Sequence, residues 1–116
     1  MAIAGIFKNA IASEVGNTFT SVYTAPSTPT AKTSYLIECD IACTEDSGVQ
    51  ISVKLTKGNG SSAYVVKSAP VPVGSSIQVI DGQKIVLMPG DSLDVKCETP
   101  GSTVDVILSL VEDVNI

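Results

Sequence analysis

Apolar and polar residues alternate along most of this chain with a period of two, the period a half-buried β-strand requires. The alternation is cleanest near the C-terminus, where Val104, Val106, Leu108 and Leu110 share a face opposite Asp105 and Ser109. Val49, Ile51, Val53 and Leu55 repeat it against Gln50, Ser52 and Lys54. Tyr35, Ile37, Cys39, Ile41 and Cys43 also read as one face, with Glu38 and Asp40 on the other. The pattern predicts strands over 5–13, 19–24, 34–43, 49–56, 62–69, 76–80, 84–88, 92–98 and 103–111. Ala10-Ile11-Ala12 would tolerate a helix, but no capping pattern opens one, so that segment reads as a strand. No stretch sustains helical periodicity and no internal repeat is present.

Turn residues separate these segments. Asp46-Ser47-Gly48, Gly58-Asn59-Gly60, Asp81-Gly82, Pro89-Gly90 and Pro100-Gly101 all have turn compositions. Asp81-Gly82 suits a primed hairpin turn between 76–80 and 84–88, and Pro89-Gly90 suits a type II turn. Pro26-Ser27-Thr28-Pro29-Thr30 reads as a stiff extended connection. Pro70 and Pro72 cannot donate to a ladder and belong at a sheet edge or a crossing between sheets. Short strands at regular spacing predict an all-β fold, an antiparallel β-sandwich of jelly-roll-like kind. The length suits one such domain over 1–116, with residues 1–18 as an N-terminal arm or an edge strand.

Composition changes the picture in one respect. Only 16% of residues are charged while 44% are hydrophobic and 4% aromatic, so Val, Ile, Leu and Ala must build the core. So little charge leaves apolar surface to cover, which predicts a homo-oligomer or a lattice-bound state. Ile107 and Val111 interrupt the polar side of their strand and are the outward residues expected to make such contacts. The net charge is −5, and all seven basic residues are lysines scattered singly, a pattern that points away from nucleic acid. No basic leader precedes an apolar stretch, and no apolar run approaches the roughly 18 residues of a membrane span, so neither export nor a membrane partner is expected.

Candidate chemistry is sparse. The chain has no His, Arg or Trp, which removes His-dependent nucleophilic triads, His metal sites and the commonest general base. Cys39 and Cys43 sit four apart on a strand, roughly 13 Å from each other, too far to pair, and Cys97 leaves an odd number. All three read as free, buried thiols, with no metal site. Glu38 and Asp40, about 7 Å apart on one strand face, have a spacing near that of glycosidase carboxylates, but a solvated strand face explains them equally well and the aromatics expected around a bound sugar are scarce. Glu45-Asp46 before Gly48 lacks the alternating acidic ladder of a calcium loop. Asp91 reads as a turn residue whose carboxylate accepts a backbone N–H. Gly58-Asn59-Gly60 lacks the Lys-Ser/Thr ending of a phosphate loop and reads as a loop tip. No catalytic, cofactor or metal residue is therefore assigned. A glycan-binding face would have to rest on Tyr23, Tyr35 and Tyr64.

The run Val71 to Cys97, VPVGSSIQVIDGQKIVLMPGDSLDVKC, followed by the closing segment VDVILSLVED, resembles a family of small all-β structural proteins from the virions of tailed bacteriophages of marine and cyanobacterial type. Phe7-Lys8-Asn9 and Val22-Tyr23-Thr24-Ala25-Pro26-Ser27 extend the likeness over most of the chain. Those proteins serve as head-decoration, tail or tail-fibre components. The resemblance implies a non-enzymatic virion protein, assembled in the bacterial host cytoplasm, that self-associates and packs on major capsid or tail proteins. A single domain without a shaft favours capsid decoration over a tail or fibre role. A carbohydrate-binding adhesion module is the alternative.

Overall fold

Strands form where the alternation placed them, with two corrections. The computed structural model describes residues 5–28 and 31–112, with the backbone alone at 81–84. Among the described residues eight strands follow one another: β1 (Ile6–Val15), β2 (Thr20–Thr24), β3 (Ser34–Cys43), β4 (Val49–Thr56), β5 (Ser62–Val71), β6 (Ser76–Leu87), β7 (Ser92–Cys97) and β8 (Val104–Glu112). They build two four-stranded sheets, ordered β1-β8-β3-β6 and β2-β7-β4-β5. Every paired neighbour is antiparallel. Only β4 and β5 are both consecutive and hydrogen-bonded to each other; every other connection crosses between the sheets. That strand order is the jelly roll, so the sandwich expectation holds in its more specific form.

The inner faces of the two sheets supply the core. Val104, Val106, Leu108 and Leu110 of β8 are all buried, as their alternation predicted. They face Val49, Ile51 and Val53 of β4 and Leu93, Val95 and Cys97 of β7 across the sandwich, and all of these are buried too. β5 lies at the edge of its sheet and carries Pro70, opposite Gln50, where a missing donor is tolerated. β1 is the edge of the other sheet, paired along β8, so the N-terminal segment is an edge strand from Ile6. Of the proline-rich connection, Pro29 and Thr30 lie outside the described residues.

The first correction concerns β3. Its buried residues are Ser34, Leu36, Cys39, Ile41 and Cys43, so Tyr35 and Ile37 do not share the face of Cys39. Between Leu36↔Leu110 and Glu38↔Ser109, β3 takes two steps while β8 takes one. The extra residue, Ile37, is a β-bulge, and one inserted residue reverses the inside and outside of everything beyond it. Tyr35 is turned outward as a result.

The second concerns Asp81-Gly82, which makes no hairpin. The backbone continues through both residues as part of β6, which pairs with β3 up to Asp81 and again from Ile85. Between Glu38↔Asp81 and Leu36↔Ile85, β6 takes four steps to the two of β3, so the dipeptide is absorbed in a strand irregularity. Glycine inside a strand commonly marks such a place. A hairpin there would have left β3 with half its partner.

The Pro89-Gly90 turn forms as predicted. Asp91 N–H donates to the Met88 carbonyl at 2.9 Å, and Gly90 takes φ +90°, a conformation that costs glycine little.

Candidate interaction surface

The outer face of the β1-β8-β3-β6 sheet is unlike an ordinary solvated sheet face. Register places Phe7 opposite Val111, Val111 opposite Tyr35, and Tyr35 opposite Val86. One apolar row thus crosses all four strands. Two pairs along the strands, Ile11 stands opposite Ile107. Phe7 is 79% exposed, Ile11 71% and Ile107 51%. Ile107 and Val111 were the outward residues legible in the sequence. The structure adds Phe7, Ile11, Tyr35 and Val86 to them. The bulge at Ile37 turns Tyr35 outward, and Val86 points outward by simple alternation between Ile85 and the buried Leu87. For Phe7 and Ile11 the only local signal is that β1 carries apolar residues on both faces.

Beside Ile107 the face sinks into an open hollow of about 420 Å³ lined by Asp40, Ala42, Ser76, Gln78, Asp105 and Ile107. The small side chains of Ala42 and Ser76 leave the space. Asp105 Oδ1 accepts the Glu14 N–H at 3.0 Å, where Glu14 holds φ +54° in a bulge of β1. Asp40 Oδ1 is buried and has no hydrogen-bond partner among the described residues. Glu38 shares this face with Asp40 and accepts from Gln78 Nε2 at 3.0 Å. The hollow is therefore rich in acceptors.

The outer face of the β2-β7-β4-β5 sheet has a different character. Lys54 Nζ stands 4.2 Å from the Phe19 ring centroid and Lys96 Nζ 5.5 Å from it, while Lys67 Nζ is 5.4 Å from the Tyr64 ring. The Phe19 and Tyr64 rings lie 6.2 Å apart and tilted. The acids on this face are engaged within the chain. Asp94 accepts from Ser21, Thr56 and Ser92 hydroxyls, and Glu98 accepts from Ser52 and pairs with Lys96.

Comparison with protein-family models and with curated proteins found no match.

The remaining sequence candidates take structural posts. Asp91 is buried, and its carboxylate accepts N–H groups from Met88 and Gly58, each at 3.0 Å, together with Lys57 Nζ at 2.5 Å. The sequence anticipated an amide donor but not that the donors would come from two different turns. Burial works against its charge, yet the Lys57 ammonium and the two amides together hold its pKa below the usual value. Glu112 is held low chiefly by the Tyr23 hydroxyl, against the opposing effect of burial and with help from Lys8 and Lys32. Burial, then the Glu112 carboxylate, pushes Tyr23 up to about 12, so the phenol remains the donor. Tyr23 is thus tied inside the sandwich, Tyr35 faces out on one sheet and Tyr64 on the other, so the three tyrosines form no shared platform. Glu45 accepts both the amide and the hydroxyl of Thr103 and braces a loop. Gly58-Asn59-Gly60 is the tip of the β4–β5 hairpin, with Asn59 Oδ1 accepting the Ser61 N–H.

Cys39, Cys43 and Cys97 are free and buried. Burial, with the nearby Asp40 charge, pushes the Cys39 thiol up to about 12, and burial raises Cys97 as well. Both are protonated, poorly nucleophilic core thiols.

Proposed function

We propose that this chain is a non-enzymatic structural protein of a tailed-phage virion, a capsid-decoration or head-associated module that self-associates and packs on other virion proteins. The observation that carries the reading is the apolar row Phe7, Val111, Tyr35 and Val86, exposed at its Phe7 and Val86 ends and half-buried between them, with the exposed Ile11 and Ile107 beside it. Large exposed apolar residues that are contiguous across a rigid sheet mark a contact surface. Jelly rolls serve viral capsids, lectins and enzymes alike, so the fold is compatible with the reading without selecting it. The resemblance of Val71–Cys97 and the closing strand to small phage virion proteins supplies the context. A glycan-binding reading has less support, because Phe19 and Tyr64 are tilted to each other and covered by lysines.

The surface makes a direct prediction. Wild-type protein sediments as an oligomer at micromolar concentration, and the double variant Phe7→Ser, Ile107→Ser sediments as a folded monomer. A variant that associates as strongly as wild type would remove this face from the assembly.

A further inference from the structure

We infer that copies of this chain associate head to tail, the outer face of the β1-β8-β3-β6 sheet of one copy against the outer face of the β2-β7-β4-β5 sheet of the next. The inference rests on the self-association proposed above and specifies its geometry.

Charge complementarity carries it. The first face presents Asp40 and Asp105 around an open hollow, and no lysine lies among its described side chains. The second face presents Lys54, Lys67 and Lys96, while its own acids, Asp94 and Glu98, are engaged within the chain. A second copy docked through the same face would bring more acceptors and apolar side chains. A second copy docked through its other sheet brings ammonium groups to the hollow and the Phe19 and Tyr64 rings to Ile11 and Ile107.

Preparation of the lysines supports the same geometry. Lys54 and Lys96 stand over Phe19, and Lys67 over Tyr64, so their stems are partly ordered before any partner arrives. Ordering side chains in advance lowers the entropic cost of docking. A contact between unlike faces leaves each copy with one face of each kind to offer. Such a contact propagates into a ring or an open stack rather than stopping at a two-fold dimer.

Charge reversal tests the inference by sedimentation velocity, with thermal melts confirming that each variant is folded. The pair Glu38→Lys, Asp40→Lys reverses two of the three acids named on the first face and leaves both faces basic, and the pair Lys54→Glu, Lys67→Glu makes the second face acidic like the first. Each variant alone is expected to raise the self-association Kd by about tenfold or more, since like charges then meet. An equimolar mixture of the two is expected to associate again, because every contact in it joins opposite charges. Should the Glu variant fail to fold, Lys54→Gln, Lys67→Gln is expected to weaken association in the same direction. If the lysine variants associate like wild type while Phe7→Ser, Ile107→Ser is monomeric, self-association stands and the head-to-tail geometry is overturned. A mixture that stays dissociated also overturns it. If wild type is a strict monomer, the self-association reading fails and this inference with it.

Discussion

Leu108→Ala destabilises the domain by about 2–5 kcal/mol, whereas Ile107→Ser, one residue away, costs no more than about 1 kcal/mol. Leu108 is fully buried at the centre of the sandwich, in the strand that joins β1 to β3. Its truncation removes apolar contacts and leaves a cavity that a core closed by two sheets cannot readily collapse. Ile107 points out of the same strand and is half exposed, so only β-propensity and partial burial are lost. Chemical denaturation of the two variants reads the difference. Equal destabilisation would mean that both faces of β8 are buried in the isolated domain. Asp105 is less neutral than its outward position in the sequence implies, because it holds the Glu14 amide in the β1 bulge.

Asp91→Ala is the second large effect. This carboxylate ties the turn after β6 to the loop between β4 and β5, and the Asp91 backbone carbonyl accepts the Ala25 N–H at the end of β2. Hydrogen bonds to a charged group are each worth about 1.5–3 kcal/mol, and two backbone amides lose theirs at once. The Lys57 ammonium is 43% exposed, so its share of the stabilisation is discounted for solvent screening. The expected loss is about 2–4 kcal/mol. Asp91→Asn keeps one acceptor and loses less.

The same residue makes stability depend on pH. The folded-state pKa values of Asp91 and Glu112 lie below their unfolded values, which are about 3.9 and 4.3. Their contribution is therefore fully present above those unfolded values and is lost as pH falls through the folded ones. Melting temperature is expected to be flat from about pH 7 to 5 and to drop below about pH 4. In Asp91→Ala the drop is shallower, because one of the carboxylates that must be protonated is gone. An acid limb as steep as that of wild type would deny Asp91 this role.

Local patterning made much of the fold legible. The face of β8, the strand character of β1, the Pro89-Gly90 turn and the edge position of Pro70 all follow from neighbours a few residues apart. The bulge at Ile37 does not, since nothing in Leu36-Ile37-Glu38 distinguishes an inserted residue from a paired one. Asp81-Gly82 has the composition of a hairpin turn, but β3 offers a continuous partner on one side, and pairing along it overrides the local preference. The interaction face was legible only as Ile107 and Val111. Phe7, Tyr35 and Val86 join them through register between strands distant in sequence, which periodicity cannot report. The same holds for Asp91, whose amide donors come from two turns 30 residues apart, Gly58 and Met88.

Location of the chain in purified phage particles tests the central claim most directly. Mass spectrometry of such particles, followed by an electron cryomicroscopy map of the same preparation, is expected to find the chain in many copies on the head. In that map the face bearing Phe7, Tyr35, Val86 and Ile107 is buried against a neighbouring copy or the capsid. A chain abundant in infected cells but missing from the particles would contradict the account, as would a map in which that face stands open to solvent.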